Sequence, residues 1–279
     1  MEHFTNVALK GIHLYPIKSC AGISVSSWPC ARFGLEYDRR WAVLDAETHV
    51  AFSQKRVPQL CKAIPYLDVE KGYLYVDAPG MRKLTVKIVR GGGGGEEEEH
   101  DGEDGGGGEK VQSRVCFTKK VARHCGTEAA DWFSTYLETP CYLAYMPLSN
   151  PHPQPTPPQR NKEMSLGRNA AMRGERGSVS KGESADANFA NKGEFLLVSE
   201  ESIQALRDMS TEGLAQNAMG GIVKMTEGQE REDDFMYTKR FRPNFIIGGC
   251  DAFDEEKLSL LRIGDAFFQV TACFPLVCR

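Results

Sequence analysis

The chain has 279 residues, of which 41% are hydrophobic and 26% are charged, enough for one large or two modest globular units. Its formal net charge of −4 gives no electrostatic case for a nucleic-acid-binding protein. No apolar run approaches the length of a membrane span, and the first six residues lack the basic and apolar regions of a secretory signal. These features predict a cytoplasmic protein without a membrane span.

Nine cysteines are scattered along the chain without a CxxC pair or a regular metal-ligand spacing. This pattern favours reduced thiols in a reducing compartment over a disulfide framework.

The first third of the chain shows mostly strand patterns. Residues 7–14 and 40–45 are short apolar stretches, and residues 84–88 alternate between apolar and polar types. Residues 66–69 and 73–76 flank a Glu-Lys-Gly turn, which predicts a hairpin.

Residues 91–109 interleave glycines with acidic residues and carry almost no apolar side chains. Such a segment cannot bury apolar area, so we predict a solvated, disordered insertion within a long hairpin. A calcium site is the sharper alternative, but the acidic residues lack the spacing of a calcium-binding loop.

A helix is predicted from Thr127, as its N-cap, to Glu138. The apolar stripe on this helix predicts core packing rather than a binding face, and comprises Trp132, Phe133, Tyr136 and Leu137. Residues 142–145 follow as a strand. Residues 149–186 are rich in Pro, then in Gly, Ser and Arg, which predicts a linker between two halves of the chain.

After the linker, residues 195–198 and 245–247 have the pattern of buried strands, and Ser199 is expected to cap a helix. Residues 263–266 predict a tight hairpin turn. Strands outnumber helices, and neither a GxGxxG nor a GxxxxGK[ST] motif is present. The expected fold is therefore α+β and mainly β, built from barrels or sandwiches with a few helices.

Three segments place cations and small polar groups beside predicted strands. Lys18 and Ser19 follow the first strand, Arg39 and Arg40 precede the second, and residues 240–244 (RFRPN) precede a later one. Guanidinium and ammonium groups suit phosphate or carboxylate oxygens, so these segments together predict a pocket for a large anion. Taken singly, each is equally consistent with a surface turn or a surface ion pair. Pro243 is expected to hold Arg242 in extended backbone.

The cysteines near the end of the chain, Cys250, Cys273 and Cys278, are candidate soft-metal ligands as thiolates. For each of them, a buried structural thiol is the competing interpretation.

Taken together, these segments resemble the molybdenum-cofactor sulfurase C-terminal (MOSC) superfamily, including its preceding N-terminal β-barrel domain. The resemblance extends over nearly the whole chain apart from the acidic insertion and the linker. It is carried by residues 14–20 (LYPIKSC), 34–35 (GL), 38–41 (DRRW), 189–191 (FAN), 195–200 (FLLVSE) and 241–244 (FRPN). Residues 189–202 are most similar to the C-terminal domain of eukaryotic molybdenum-cofactor sulfurases, and the superfamily also includes the mitochondrial amidoxime-reducing component.

The resemblance implies three units. They are a MOSC N-terminal β-barrel domain over residues 1–148, a linker over residues 149–186, and an incomplete MOSC β-barrel over residues 187–279. The strands that complete such a barrel are not found after residue 270, which predicts an open sheet of low stability. A mitochondrial association is a second expectation beside the cytoplasm.

The resemblance also implies a molybdenum-molybdopterin cofactor. Lys18, Ser19, Arg39, Arg242 and Asn244 are expected to contact its phosphate and pterin. Asn191 is a further candidate of the same kind.

The expected molybdenum ligand departs from the family pattern. Amidoxime reducers of this family carry a Cys-x-x-Cys segment whose second Cys ligates molybdenum. Cys273 matches its first position here, but the ligand position is Leu276, and Cys278 lies two residues later. Cys273 or Cys278 is therefore the candidate ligand, and the catalytic residues stay unassigned.

Three functions follow as alternatives. The first is a molybdenum oxidoreductase of the amidoxime-reductase type, with electrons supplied by a separate reductase chain. The second is a non-catalytic cofactor carrier related to the sulfurase C-terminal domain, without the pyridoxal-phosphate domain of a sulfurase, for which no room exists before residue 7. The third is a degenerate barrel without a cofactor.

Overall fold

The structure is a computed structural model that describes residues 7–31, 34–89, 109–115, 118–146, 189, 194–217 and 240–270. Strands outnumber helices in these residues, which confirms a mainly β fold. The strands are Ala8–Leu14 (β1), Ile23–Val25 (β2), Cys30–Ala31 (β3), Gly34–Leu35 (β4), Trp41–Asp45 (β5), Ile64–Asp68 (β6), Tyr73–Asp77 (β7), Leu84–Lys87 (β8), Lys110–Val115 (β9), Thr118–His124 (β10), Cys141–Tyr145 (β11), Leu197–Ser199 (β12), Phe245–Gly248 (β13), Leu260–Ile263 (β14) and Ala266–Gln269 (β15). The helices are Thr127–Leu137 (α1) and Glu200–Asn217 (α2), with 3-10 turns at Pro58–Lys62 and Asp254–Lys257.

The first strand of the chain lies in one sheet with strands from its last third. This four-stranded sheet has the order β12-β13-β1-β2, in which β1 is antiparallel to both of its neighbours and β12 is parallel to β13. Ile12 pairs with Phe245, so the end of β1 lies beside the start of β13. The pairing therefore joins the two segments that carry the predicted cations.

A second four-stranded sheet has the order β5-β11-β10-β9. It connects to the end of β1 through a parallel bridge between Ile17 and Trp41, and through a 2.8 Å hydrogen bond from the Lys18 amide to the Trp41 carbonyl. Residues 36–40, which carry Arg39, are thus held between the two sheets.

The main core lies between the β6-β7-β8 sheet, α1 and the inner face of β5 and β11. The alternation predicted for residues 84–88 is confirmed, because Leu84 and Val86 are buried while Thr85 and Lys87 are exposed. Three of the four stripe residues of α1 are buried, at 3% (Trp132), 0% (Phe133) and 5% (Leu137) exposure, and Tyr136 packs at the edge of the cluster. The stripe is core packing, as predicted.

The two predicted tight hairpins are present, as β6-β7 and β14-β15, and Gly264 in the second turn has a φ of 59° that suits glycine. The prediction of a long hairpin around the acidic insertion was wrong, because the flanking strands lie in different sheets: β8 pairs with β7, and β9 pairs with β10. Ser199 caps α2 as predicted, because its hydroxyl accepts the Ser202 amide at 3.0 Å. The helix α1 is present as predicted, but its predicted N-cap was wrong: the N-cap is Gly126, with a φ of 96°, and Thr127 is the first helical residue. The backbone must leave β10 within two residues, which requires the conformation that glycine adopts most readily.

The two halves of the chain share the β1 sheet, so the predicted unit boundaries at residues 148 and 187 stay predictions. Residues 91–108 of the acidic insertion and the whole predicted linker, residues 149–186, lie outside the described residues. In the part of the chain that the structure describes, no helix is both long and apolar enough to cross a bilayer.

The start of α1 predicts a pH dependence of stability. Nδ1 of His124 accepts the Gly126 amide at 2.9 Å, which requires an unprotonated nitrogen, and burial lowers the pKa of His124 below its ordinary value of 6.5. The unfolded chain therefore binds a proton more readily, so the free energy of unfolding should fall as the pH drops below about 6.5.

Equilibrium unfolding by urea at a series of pH values measures this effect. His124→Phe keeps a ring to stack on Tyr142, 4.7 Å away, and should flatten the pH dependence in this window without abolishing it. The remainder should come from His13, whose pKa is also lowered by burial. A slope unchanged in the variant would contradict the assignment to His124.

Candidate functional site

The candidate site lies where the end of β1 meets the residues before β13. The His13 amide donates to the Asn244 carbonyl at 2.8 Å, and Nδ2 of Asn244 donates to the His13 carbonyl at 3.2 Å. Oδ1 of Asn244 accepts the Leu196 amide at 3.2 Å. The side chain of Asn244, which precedes β13, thus bonds to β1 and to the residue before β12. This junction is buried, because Asn244 is 1% exposed.

Arg39 reaches this point from the segment between the two four-stranded sheets. Its Nη1 donates to Asn244 Oδ1 at 3.1 Å and to the Asp38 carboxylate, and its Nη2 donates to the Arg242 carbonyl at 3.0 Å. Its amide donates to the Tyr15 carbonyl at 2.7 Å. The predicted meeting of Arg39, Arg242 and Asn244 is therefore present in the structure.

Arg242 supplies the least satisfied cation of the site. Its Nη1 donates to the Cys20 carbonyl, whereas its Nη2 is buried and has no hydrogen-bond partner among the described residues. Burial, and next the nearby charge of Arg39, lower the pKa of Arg242. Both causes disfavour an uncompensated charge, and an anion at Nη2 would relieve both.

The ring of Tyr15 lies under both guanidinium groups. Cζ of Arg242 is 4.3 Å from the ring centroid and Cζ of Arg39 is 4.9 Å from it. Burial raises the pKa of Tyr15 to about 12, so the phenol is neutral at physiological pH.

Lys18 and Ser19 lie in the turn after β1, but their polar groups contact backbone carbonyls. Nζ of Lys18 donates to the Phe189 carbonyl at 3.2 Å, and Oγ of Ser19 donates to the Phe52 carbonyl at 3.3 Å. Phe189 is fully buried, and its amide donates to the Arg39 carbonyl at 2.8 Å. Phe189, three residues after the predicted linker, is thus anchored beside the site.

Three residues of the site adopt left-handed backbone, with φ values of 70° (Ser19), 52° (Arg39) and 58° (Arg242). This conformation is rare for residues other than glycine and costs on the order of 1–3 kcal/mol for each residue. It persists where surrounding contacts hold the backbone in place, and such residues are often found at functional sites. The prediction that Pro243 holds Arg242 extended was therefore wrong. Contacts of the Arg242 carbonyl with Arg39 and of its side chain with Cys20 outweigh the local preference.

The two guanidinium groups of the site differ in their partners. Among the described residues, Arg39 pairs with the carboxylate of Asp38, which is fully buried and also accepts the Tyr15 amide at 2.8 Å, whereas Arg242 donates to the Cys20 carbonyl. A neighbouring cation, Arg40, points away and donates to the Met146 carbonyl. The arrangement favours an anionic ligand with oxygen acceptors.

The described residues contain no group of three or more His, Cys, Asp or Glu that could hold a metal ion. Asn191, Cys273, Leu276 and Cys278 lie outside them, so the predicted roles of these residues stay predictions. Within the site, burial raises the pKa of the Cys20 thiol to about 12, which keeps it from acting as a thiolate at neutral pH. Cys250 lies elsewhere, with its Sγ 3.9 Å from a carboxylate oxygen of Glu201.

Three contributors to the site were not predicted as such: the Tyr15 ring, the Asp38 carboxylate and the Phe189 carbonyl. Tyr15 and Asp38 stand next to the predicted segments in sequence, but nothing in the pattern shows that both arginines meet at one ring. The Phe189 carbonyl carries no sequence signal, because any residue supplies one.

Comparisons with known proteins identify relatives of this chain. Residues 6–140 match the family model of the MOSC N-terminal beta barrel domain. Molybdenum cofactor sulfurase of Homo sapiens is 30% identical over 93% of this chain and 24% of its own length, and that of Oryza sativa subsp. japonica is 30% identical over 95% and 27%. The chain thus spans about a quarter of the length of the curated relatives it matches.

A solved structure from Bordetella bronchiseptica, determined in solution, also matches. It is 21% identical and covers 43% of this chain and 88% of that one, with a TM-score of 0.31.

The geometry gives Asn244 a structural role, and its predicted contact with a cofactor stays a prediction. Asn244→Leu should lower the free energy of unfolding by about 3 kcal/mol, because it leaves the Leu196 amide and the His13 carbonyl buried without partners. Urea unfolding measures the loss. Gln204→Leu, which removes an exposed amide bonded to Asp208, is the matched control and should change stability little. Normal stability in Asn244→Leu would contradict this account.

Proposed function

We propose that this chain, whose residues 6–140 match the model of the MOSC N-terminal beta barrel domain, binds the anionic molybdenum-molybdopterin cofactor at the Arg39–Arg242 cluster. One observation carries the proposal: Nη2 of Arg242 is buried without a hydrogen-bond partner among the described residues, close to the second guanidinium group, that of Arg39. A phosphate oxygen would supply the missing acceptor and offset the charge.

The described residues match the anionic part of the cofactor in charge, because they offer guanidinium and ammonium groups. Arg242 would hold a phosphate oxygen through Nη2, and Arg39, whose side chain is 14% exposed, would add its charge from its own position over the Tyr15 ring. Lys18 and Ser19 would contribute through their position in the adjoining turn. When bound, the cofactor would supply the redox or group-transfer chemistry of molybdenum, while these residues bind and orient it.

Of the two cofactor-dependent functions, the similarity to the sulfurases favours the carrier. Relatives named molybdenum cofactor sulfurase align with 93% to 96% of this chain, and the alignment takes up about a quarter of their length. We therefore propose a cofactor-binding module related to the corresponding portion of a sulfurase. The oxidoreductase of the amidoxime-reductase type, with its electron-donor chain, is the second candidate, and it depends on a metal ligand at Cys273 or Cys278.

Cofactor content tests the proposed site. After purification from a host that makes the cofactor, wild-type protein should carry pterin. The pterin content of Arg242→Ala should be lower by a factor of at least about ten. The reason is that a charge-assisted hydrogen bond contributes about 1.5–3 kcal/mol. The measurement is pterin fluorescence after oxidation, with molybdenum by mass spectrometry.

Arg82→Ala is the matched control, because Arg82 forms an exposed ion pair with Glu128 on another face. Its pterin content should equal that of wild type. If Arg39→Ala and Arg242→Ala change nothing except surface charge, the degenerate barrel without a cofactor is the better account.

The carrier and the oxidoreductase differ in turnover. Cofactor-loaded protein, mixed with an electron-donor reductase chain and an N-hydroxylated amidine, should show no reduction of that substrate above the rate without protein. Chromatographic detection of the amidine product measures this. Reduction that disappears in Cys273→Ala or Cys278→Ala would support the oxidoreductase instead.

A further inference from the structure

Tyr15 occupies a special position among the aromatic residues of the site. It is 3% exposed, and its ring lies within 5 Å of two guanidinium carbons, at 4.3 Å from Arg242 and 4.9 Å from Arg39. Arg39 and Arg242 carry like charges and come from segments about 200 residues apart, so some group must hold them together against their repulsion.

The ring itself is fixed by backbone. A Cβ on Gly22 would lie 2.4 Å from Cε1 and 2.9 Å from Cδ1 of Tyr15, which is closer than real Cβ atoms approach. Gly22 therefore leaves the space that the ring fills. At either end of Tyr15, the amide is bonded to Asp38 and the carbonyl to the Arg39 amide. The ring has little room to move.

An aromatic ring differs from a carboxylate in what it does to the charge. A carboxylate between two arginines would attract both, but it would also cancel one of the charges that a ligand needs. The electron-rich face of a neutral ring attracts both cations and leaves their charge available. Asp38 binds Arg39, whereas no described carboxylate pairs with Arg242.

We propose that Tyr15 is a positioning residue of the anion site, which holds Arg39 and Arg242 side by side on its ring without neutralising them. The anion-binding part of this inference rests on the proposed function, but the arrangement of the two arginines does not. The hydroxyl group plays no part, so the ring alone should suffice.

Binding of inorganic phosphate, followed by isothermal titration calorimetry, tests the proposal with full-length protein. Tyr15→Phe should bind phosphate as wild type does, within about twofold, because the ring is kept. Tyr15→Leu should bind phosphate at least about tenfold more weakly, since both guanidinium groups lose the ring face. Tyr142→Leu removes a similarly buried tyrosine away from the arginines and should bind as wild type does.

A second measurement does not depend on any ligand. In the ligand-free protein, the Cδ protons of Arg39 and Arg242 should show ring-current shifts in the nuclear magnetic resonance spectrum. These shifts should persist in Tyr15→Phe and vanish in Tyr15→Leu. If Tyr15→Leu fails to fold, Gly22→Ala provides the test, because its methyl group displaces the ring, and Gly11→Ala in the neighbouring strand is its control.

The outcomes separate the two claims. Equal phosphate affinity and unshifted arginine signals across wild type, Tyr15→Phe and Tyr15→Leu would overturn the role of Tyr15 while leaving the anion site in place. Ring-current shifts without phosphate binding in wild type would overturn the proposed function and the anion-binding part of the inference, but would support the arrangement of the two arginines. Loss of binding in Tyr15→Phe would also contradict the proposal, because it would assign the effect to the hydroxyl.

Discussion

The antiparallel pairing of β1 with β13 is the constraint on which the site depends. It brings the turn after residue 14 against residues 242–244, more than 220 positions later, and buries Asn244 between them. Because loop-closure entropy grows only slowly with chain length, long intervening segments can be accommodated once this pairing forms. The backbone then positions each cation of the site: Lys18 follows β1, Arg242 precedes β13, and Arg39 precedes β5.

A buried cluster of cations is stable only if its charges are compensated. Arg39 is compensated by Asp38, Asn244 and the Arg242 carbonyl, and Arg242 by the Cys20 carbonyl and the Tyr15 ring. Nη2 of Arg242 is the one buried side-chain nitrogen or oxygen without a hydrogen-bond partner in the part of the chain that the structure describes. An unsatisfied buried donor next to left-handed backbone supports the proposal of a ligand site at this point.

The sequence predicted the elements better than it predicted the contacts. Hairpins, the α1 stripe and the Ser199 cap follow from local periodicity and turn chemistry, which a short window contains. The identity of the cationic segments was also recognisable, since Arg39, Arg242 and Asn244 do meet. By contrast, the left-handed φ of Arg242 and the hydrogen bonds of the Asn244 side chain to backbone groups arise from tertiary contacts. No pattern in residues 240–244 encodes them, because the partners lie at residues 13, 39 and 196.

The most direct test of the central claim is a crystal structure of the protein purified from a host that makes the molybdenum cofactor. The account predicts an anionic group of the cofactor within hydrogen-bond distance of Arg242 Nη2, with both guanidinium groups still on the Tyr15 ring. A cofactor bound elsewhere, or Nη2 bonded to another group of the protein, would contradict it.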